Sequence, residues 1–511
     1  MQNLSILLLC FLSGLANAQS TRFTNAVIFG SSENSFVIDA GRRVSDRRKT
    51  DHVVDLKGQF VVFGLVDAHA HLHGLGKTLV MVNLVGTQSF DAVVKKMVQN
   101  APRSGWIIGR GWDHNDWKHS EFPTHHDLSR AFPDRPVVLT RVDGHVIIAN
   151  EAAMKAARFD TTQADPKGGK IVRDSKGHPT GVFVDGAMEL IRRATPKPTL
   201  ADHKAAILRA TEQVLKLGLT GIHEMGIGPT TVQAYKELDE AGKLPIRIWA
   251  YWAGDSRGHK PYNGRNFKLV GVKYFADGAL GSRGAALTEA YVDAPETRGL
   301  LQYKPEKLAE LTKKSSQAGF QIAIHAIGDR GIRVALDALR HAPATGLPHR
   351  IEHAQVVAQA DFDRFVSQKI IASMQPTHCT SDMPWAEKRV GSRRILGAYA
   401  WRTMLNKGID LVFGSDFPVE SADPRKGLYA AITRQDTQAK PAGGWYPNQR
   451  LNAVEALQAF SNHAEKVVGA RSDRGDFTVF NRNLATTSPQ EILKARVMQV
   501  FVRGHRIYDG R

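Results

Sequence analysis

The stretch Gly64-Leu65-Val66-Asp67-Ala68-His69-Ala70-His71-Leu72-His73-Gly74 limits the fold more than any other in the chain. The apolar run Val61-Val62-Phe63-Gly64-Leu65-Val66 has the length and composition of a strand buried on both faces, and it ends abruptly in Asp67, His69 and His71. Side chains alternate along a strand, so His69 and His71 share a face. Two imidazoles on one face at the carboxyl end of a buried strand can hold a metal ion between them, although an isolated His-x-His also occurs where a strand frays into a surface loop. Three further stretches favour the metal: HAIGD at 325–329, RIEHAQ at 350–355 and GSDFPVE at 414–420 each close another apolar run with a metal-ligating residue type.

Buried-strand patterns recur at 61–67, 218–224, 244–252, 270–275, 320–325, 350–353, 369–375 and 409–416. Helix signals fall between them. Thr199-Leu200-Ala201-Asp202 resembles a capping box, followed by apolar Ala206, Leu208, Val214 and Leu217 and a stop at Gly218; Pro305 opens a second pattern through Leu308 and Leu311 that Gly319 closes. Eight strands alternating with helices predict an α/β fold, a (β/α)8 TIM-like barrel.

Short β-type runs lie at both chain ends, for example Asn25 to Phe29, His52 to Leu56, Asp476 to Phe480 and Val497 to Val502. They predict one small β-sandwich domain from residues 19–63 and 476–511, with the barrel over 64–475. Between the first and second barrel strands lie about 150 residues, far more than an ordinary βα loop. This insertion, over about 75–198, carries Trp106, Trp112, Trp117 and a strand-like run at 136–142. It is expected to be a folded excursion that shapes or covers the pocket.

The first residues form a separate unit. Leu4-Ser5-Ile6-Leu7-Leu8-Leu9-Cys10-Phe11-Leu12 is a short apolar core, and Ala16-Asn17-Ala18 is a small-x-small cleavage signal, although no Lys or Arg precedes the core. The reading is a signal peptide over 1–18, cut before Gln19, and a periplasmic or secreted protein. Cleavage removes Cys10 and leaves Cys379 alone, so an internal disulfide is excluded and stability rests on core packing. No later segment has the apolar length of a membrane-spanning helix. The net charge of +18 is scattered, its densest cluster being Arg42-Arg43 with Arg47-Arg48-Lys49. It reads as solvated surface with no nucleic-acid-binding module, leaving weak attraction to acidic envelope components open. A small-molecule substrate is the expected partner, and a homodimer the default assembly.

Barrel enzymes carry their chemistry at the carboxyl ends of strands. There the pattern places His69 and His71 on strand one, Lys273 on strand four, His325 on strand five, His353 on strand six and Asp416 on strand eight. Four imidazoles and a carboxylate suit zinc, with manganese, nickel or iron as alternatives.

With GRGWDHNDW at 109–117, DRPVVLTRVDGHVIIAN at 134–150 and GVKYFADGALGSR at 271–283, this order of motifs resembles the amidohydrolase superfamily, within it the amidohydrolase-3 branch of YtcJ-like and N-substituted-formamide-deformylase-like proteins. The resemblance covers nearly all of the chain after residue 18; it departs at Phe63, where the family usually has proline. It implies two divalent metal ions, His69, His71 and Asp416 on one and His325 with His353 on the other, bridged by a carboxylated Lys273. The alternative for Lys273 is an ion pair with Glu224 or Asp277, in which case Glu224 is the substitute bridge or the site holds one metal.

The implied activity is hydrolysis of a non-peptide C–N bond, in an N-acyl or N-formyl amine or a cyclic amide, by water made acidic between the cations, with Asp416 as the catalytic proton acceptor. An ester or lactone substrate, or a catalytically silent barrel used for binding, are the competing readings. His114, His145 and Arg283 sit where similar proteins contact substrate. Asp329 is expected to fix a ligand imidazole, His73 is not expected to be a ligand, and Trp112, Trp117 and Trp401 are expected to pack the pocket wall.

Overall fold

A computed structural model describes residues 20–510 apart from Arg47, Arg103, His119, Ser120, Asp143, Arg257 and Ser472. The leader read at 1–18 lies outside the described residues. The chain divides into two compact units, one comprising 1–71, 212–228 and 238–511, the other 72–211 with 229–237.

The first unit contains the barrel. Its strands are β1 (Val66–Ala70), β2 (Gly221–Ile227), β3 (Arg247–Ala253), β4 (Phe267–Phe275), β5 (Gln321–Ala326), β6 (Arg350–His353), β7 (Ile371–Met374) and β8 (Leu411–Phe413). They pair in parallel in chain order, with Gly221 opposite Val66, Lys273 opposite Ala323 and Ala372 opposite Leu411 as examples of register. Closure between β8 and β1 rests on two backbone bonds beyond the regular ladder: Asp416 N donates to His69 O at 2.7 Å and His71 N to Phe417 O at 2.8 Å. The same contact that closes the barrel thus brings its first and last ligating residues together.

One sequence expectation needs correction. The run at 61–67 is not a single strand: Phe60–Phe63 belongs to a separate sheet, and β1 begins only at Val66. The break falls at Gly64, whose φ of +61° lies in the left-handed region, and a Cβ there would come within 2.4 Å of the Glu465 carboxyl group. Apolar character continues across the turn, so hydrophobicity alone cannot reveal it. As a result His69 lies within β1 and only His71 lies beyond its end.

Strands from both chain ends share one sheet, in the order Val27–Ile28, Phe60–Phe63, Phe477–Phe480, Val497–Val502 and His505–Asp509. A second sheet, built from Arg42–Val44, Phe36–Asp39, Thr21–Thr24 and His52–Asp55, packs against it. Phe23, Phe36, Phe477 and Phe501 fill the space between them, with Phe477 stacked on Phe501 at 4.4 Å between ring centroids.

The second unit holds a six-stranded sheet in the order Gly169–Arg173, Pro179–Asp185, Val146–Ala149, Val137–Arg141, Ile107–Trp112 and Val82–Asn83. Trp112 and Trp117 stack within one of its cores at 5.9 Å. The Thr199 capping box forms: Asp202 N donates to Thr199 Oγ1, and Thr199 N to Asp202 Oδ2.

Candidate metal centre

The end of β8 is shaped by a close approach that only glycine permits. A Cβ on Gly414 would lie 2.3 Å from His69 N and 2.7 Å from Asp67 Oδ1. Ser415 then donates to the buried Asp67 carboxylate through its N at 3.0 Å and its Oγ at 2.6 Å, which fastens β8 to β1. Burial of Asp67 pushes its pKa up to about 7 against those bonds. Two ligating positions are held in left-handed backbone, His353 at φ +71° and Asp416 at φ +61°. Such conformations in non-glycine residues cost on the order of 1–3 kcal/mol each, and proteins keep them where a side chain must be aimed.

Around this joint one ligating atom from each of His69, His353 and Asp416 lies within 4.8 Å of the others. His71 Nε2 is 3.0 Å and His69 Nε2 3.4 Å from Asp416 Oδ1. The rings are oriented from behind. His69 Nδ1 lies 2.5 Å from Glu352 Oε2, His71 Nδ1 2.9 Å from Met225 O, and His353 Nδ1 2.8 Å from Gln375 Oε1. Each acceptor takes the Nδ1 proton and leaves the Nε2 lone pair for a cation, the arrangement that fixes a metal-ligating imidazole.

Charge in the cluster follows from burial. Burial, then the nearby Lys273, hold His69 down at about 4 and His325 at about 3, so both are unprotonated at neutral pH. Burial would raise Asp416, but the neighbouring imidazoles of His69, His71, His353 and His378, His71 through a hydrogen bond, hold it well below the usual carboxylate range. For His71 burial works downward, yet Asp416 raises its pKa overall. A proton on His71 and a divalent cation therefore answer the same need, positive charge between a carboxylate oxygen and imidazole nitrogens. The donor set fits a divalent metal of the zinc type.

Lys273 enters the cluster on β4, 1% exposed, its Nζ 3.2 Å from His69 Nε2. Asp277, one of the carboxylates considered as its partner, instead accepts from the backbone of Ala286, Ile327 and Gly328. Burial brings it down to about 8, Glu352 and Asp416 working in the opposite direction.

His325 lines the same cavity, with its ring 4.5 Å from that of His353. Its Nε2 instead faces Gly278 O at 3.4 Å and Asp277 Oδ1 at 3.6 Å. Asp277, not Asp329, is thus the carboxylate beside this ring; Asp329 accepts from the backbone of Thr288 and Arg330.

Of the other substrate-contact candidates, one lies in the first unit and two in the second. Arg283 is bound by Asp293 at 2.8 Å and does not line the cavity. His114 and His145 belong to the second unit, the former in the turn His114–Asp116 with its ring 4.4 Å from Phe122, the latter paired with Asp185 at 2.8 Å. The tryptophan on the cavity wall is Trp385; Trp401 is buried beneath Arg434.

His378 was not singled out from the sequence. It stands on the helix Pro376–Asp382 after β7, its Nε2 3.7 Å from Asp416 Oδ2 and its ring nearly parallel to that of His353. This Nε2 is buried with no hydrogen-bond partner among the described residues. The signal available was Gln375-Pro376-Thr377-His378 directly after the seventh strand, where a histidine is placed over the barrel mouth.

The sequence profile of the amidohydrolase family matches residues 52–508. The chain is 32% identical over 481 residues to the putative amidohydrolase YtcJ of Bacillus subtilis (strain 168), covering 89% of this chain and 90% of that protein. It is 24% identical over 494 residues to the N-substituted formamide deformylase of Arthrobacter pascens, covering 89% and 90%. A crystal structure of an uncharacterized metal-dependent hydrolase from Pyrococcus horikoshii ot3 superposes with a TM-score of 0.79 at 28% identity, over 92% of this chain and 99% of that one. A near-complete family match and a histidine–aspartate cluster where β1, β6 and β8 converge lead to one assignment: the chain belongs to the amidohydrolase family of metal-dependent hydrolases.

Proposed function

We propose that the protein is an exported amidohydrolase that opens a non-peptide C–N bond in a small N-formyl or N-acyl amine or cyclic amide. The observation that carries this reading is the triple orientation of His69, His71 and His353 from behind, with His69 and His71 Nε2 3.4 and 3.0 Å from Asp416 Oδ1. The deformylase relative supports the amide class. The cavity of about 360 Å³ supports a small substrate, with Phe275, Leu280, Ile327, Trp385 and Val419 as an apolar wall for an N-substituent.

In this reading His69, His71 and Asp416 would hold one divalent ion, zinc first, and His325 with His353 would hold a second. A carboxylated Lys273 would add an anionic oxygen donor for these ions. A buried lysine lowered to about 8 has a substantial neutral fraction near pH 7.5, and the neutral amine is the form that adds to CO₂ with release of a proton. When bound, the metal supplies Lewis-acid polarisation of the carbonyl and acidifies water. Asp416 accepts the water proton on its carboxylate and returns it to the departing amine nitrogen. His378, with Nε2 3.7 Å from Asp416 Oδ2, hydrogen-bonds the substrate near the reacting carbonyl.

Assay of zinc-, manganese- and nickel-loaded protein against N-formyl, N-acetyl, cyclic-amide, ester and lactone compounds tests the bond class. The expected result is turnover concentrated in the amide arms, with about two ions per chain and loss on chelation. Turnover confined to esters or lactones would overturn the C–N assignment, and protein that takes up none of the three ions would overturn metal-dependent hydrolysis.

His378→Asn is expected to lower kcat/KM by about 10²-fold with metal content unchanged. An unaltered kcat/KM would remove His378 from the substrate site.

A further inference from the structure

A second cavity, of about 450 Å³, opens at the other end of the barrel strands. Arg247 begins β3 and Lys268 lies near the start of β4, five residues before Lys273 and so roughly 17 Å from it along the strand. The remaining wall comes from the two small sheets, through Arg42 and Arg503, and from the segment carrying Arg471 and Arg474.

The nearby carboxylates are already engaged. Asp476 binds Arg247 at 2.8 Å and accepts from Arg503 N at 2.7 Å, Glu465 binds Arg474, and Asp473 binds Arg471 at 2.7 Å. Among the described residues, the side chains of Arg42, Arg265, Lys268 and Arg503 have no carboxylate at ion-pair distance. Arg474 is half-buried over the Trp249 ring at 4.8 Å, and its Nε, without a hydrogen bond, lies 3.5 Å from Asp476 Oδ2.

Like charges gathered in a concave setting repel one another. Burial and then the charges of Arg247 and Arg265 lower the pKa of Arg503, while burial and then Arg474 and Arg247 lower that of Lys268. A solvated cationic surface has no need to assemble this group in a cavity, and barrel stability would be better served by fewer charges. An anion with several oxygens offsets the repulsion and pairs with guanidinium groups through charge-assisted, often bidentate bonds.

We infer that this cavity is a binding site for a compact, phosphate-dense anion of the pyrophosphate type, separate from the metal centre. The ligand is small because the cations converge on one concave volume rather than run along a stripe. Of the basic cluster at 42–49, Arg42 reaches this cavity, so part of the +18 charge has a local role.

Calorimetric titration of the full-length protein with pyrophosphate at constant ionic strength tests the site. Saturable one-to-one binding is expected, weakened about tenfold or more in the Arg265→Ala/Lys268→Ala variant. Lys95→Ala/Lys96→Ala, which removes equal charge from the helix Phe90–Asn100, is expected to bind as wild type. Equal weakening in both variants, or no saturable heat in wild type, would overturn the site. Citrate binding as tightly as pyrophosphate would overturn the phosphate class. Two sources of phosphate are separated by a further arm: sedimentation with phosphatidylglycerol vesicles, unrelieved by pyrophosphate, would overturn the small-anion assignment.

Discussion

Asp416→Asn is expected to lose about 10²–10⁴-fold in kcat while retaining most of its metal. The argument rests on what the substitution keeps. Asparagine has nearly the same shape, and its amide oxygen can occupy the Oδ1 position 3.0 Å from His71 Nε2 and 3.4 Å from His69 Nε2. The backbone N of residue 416 still donates to His69 O, so barrel closure is untouched. What disappears is the charge and the second oxygen that can take up a proton. Metal content by plasma emission and kcat on the best substrate of the panel provide the check. Unchanged kcat would refute the proton-acceptor role, and loss of metal in parallel with activity would assign Asp416 to ligation alone.

Much of the barrel was legible because its strands are buried on both faces, and such strands write themselves as apolar runs ending in polar residues. The candidate ligands followed from that pattern, since His353 and Asp416 lie at or just beyond strand ends. The first strand was misjudged by several residues because the Gly64 turn interrupts direction without interrupting hydrophobicity. Orientation was less legible than identity. Which carboxylate faces His325 depends on the loop after β4 folding back, so that Asp277 accepts from Ile327 N and Gly328 N, contacts of 50 residues or more in sequence separation. His378 was missed because its place over the mouth depends on the turn from β7 into a helix, which strand periodicity does not encode.

Arg350→Met is expected to destabilise the metal-free protein by about 3–5 kcal/mol, the cost of leaving a buried charge without its partner. Arg350 is fully buried in the barrel and binds four neighbours besides Glu352: Ala68 O at 2.6 Å, Ser373 Oγ at 2.7 Å, His223 Nδ1 at 2.8 Å and Tyr251 Oη at 3.3 Å. Glu352, equally enclosed, is pushed up by burial but held well below the usual carboxylate range by Arg350 and His69. Removing the guanidinium leaves that carboxylate facing only His69. The double variant Arg350→Met/Glu352→Leu removes both charges and is expected to recover part of the lost stability, because the isolated buried charge is gone. Its metal affinity is nevertheless expected to fall about 10–100-fold, since His69 Nδ1 then lacks the acceptor that orients its ring. Urea denaturation of the metal-free proteins and competitive zinc titration separate the two effects. A double variant as unstable as Arg350→Met would show that packing, not charge pairing, sets the cost. One with wild-type zinc affinity would show that Glu352 does not position His69.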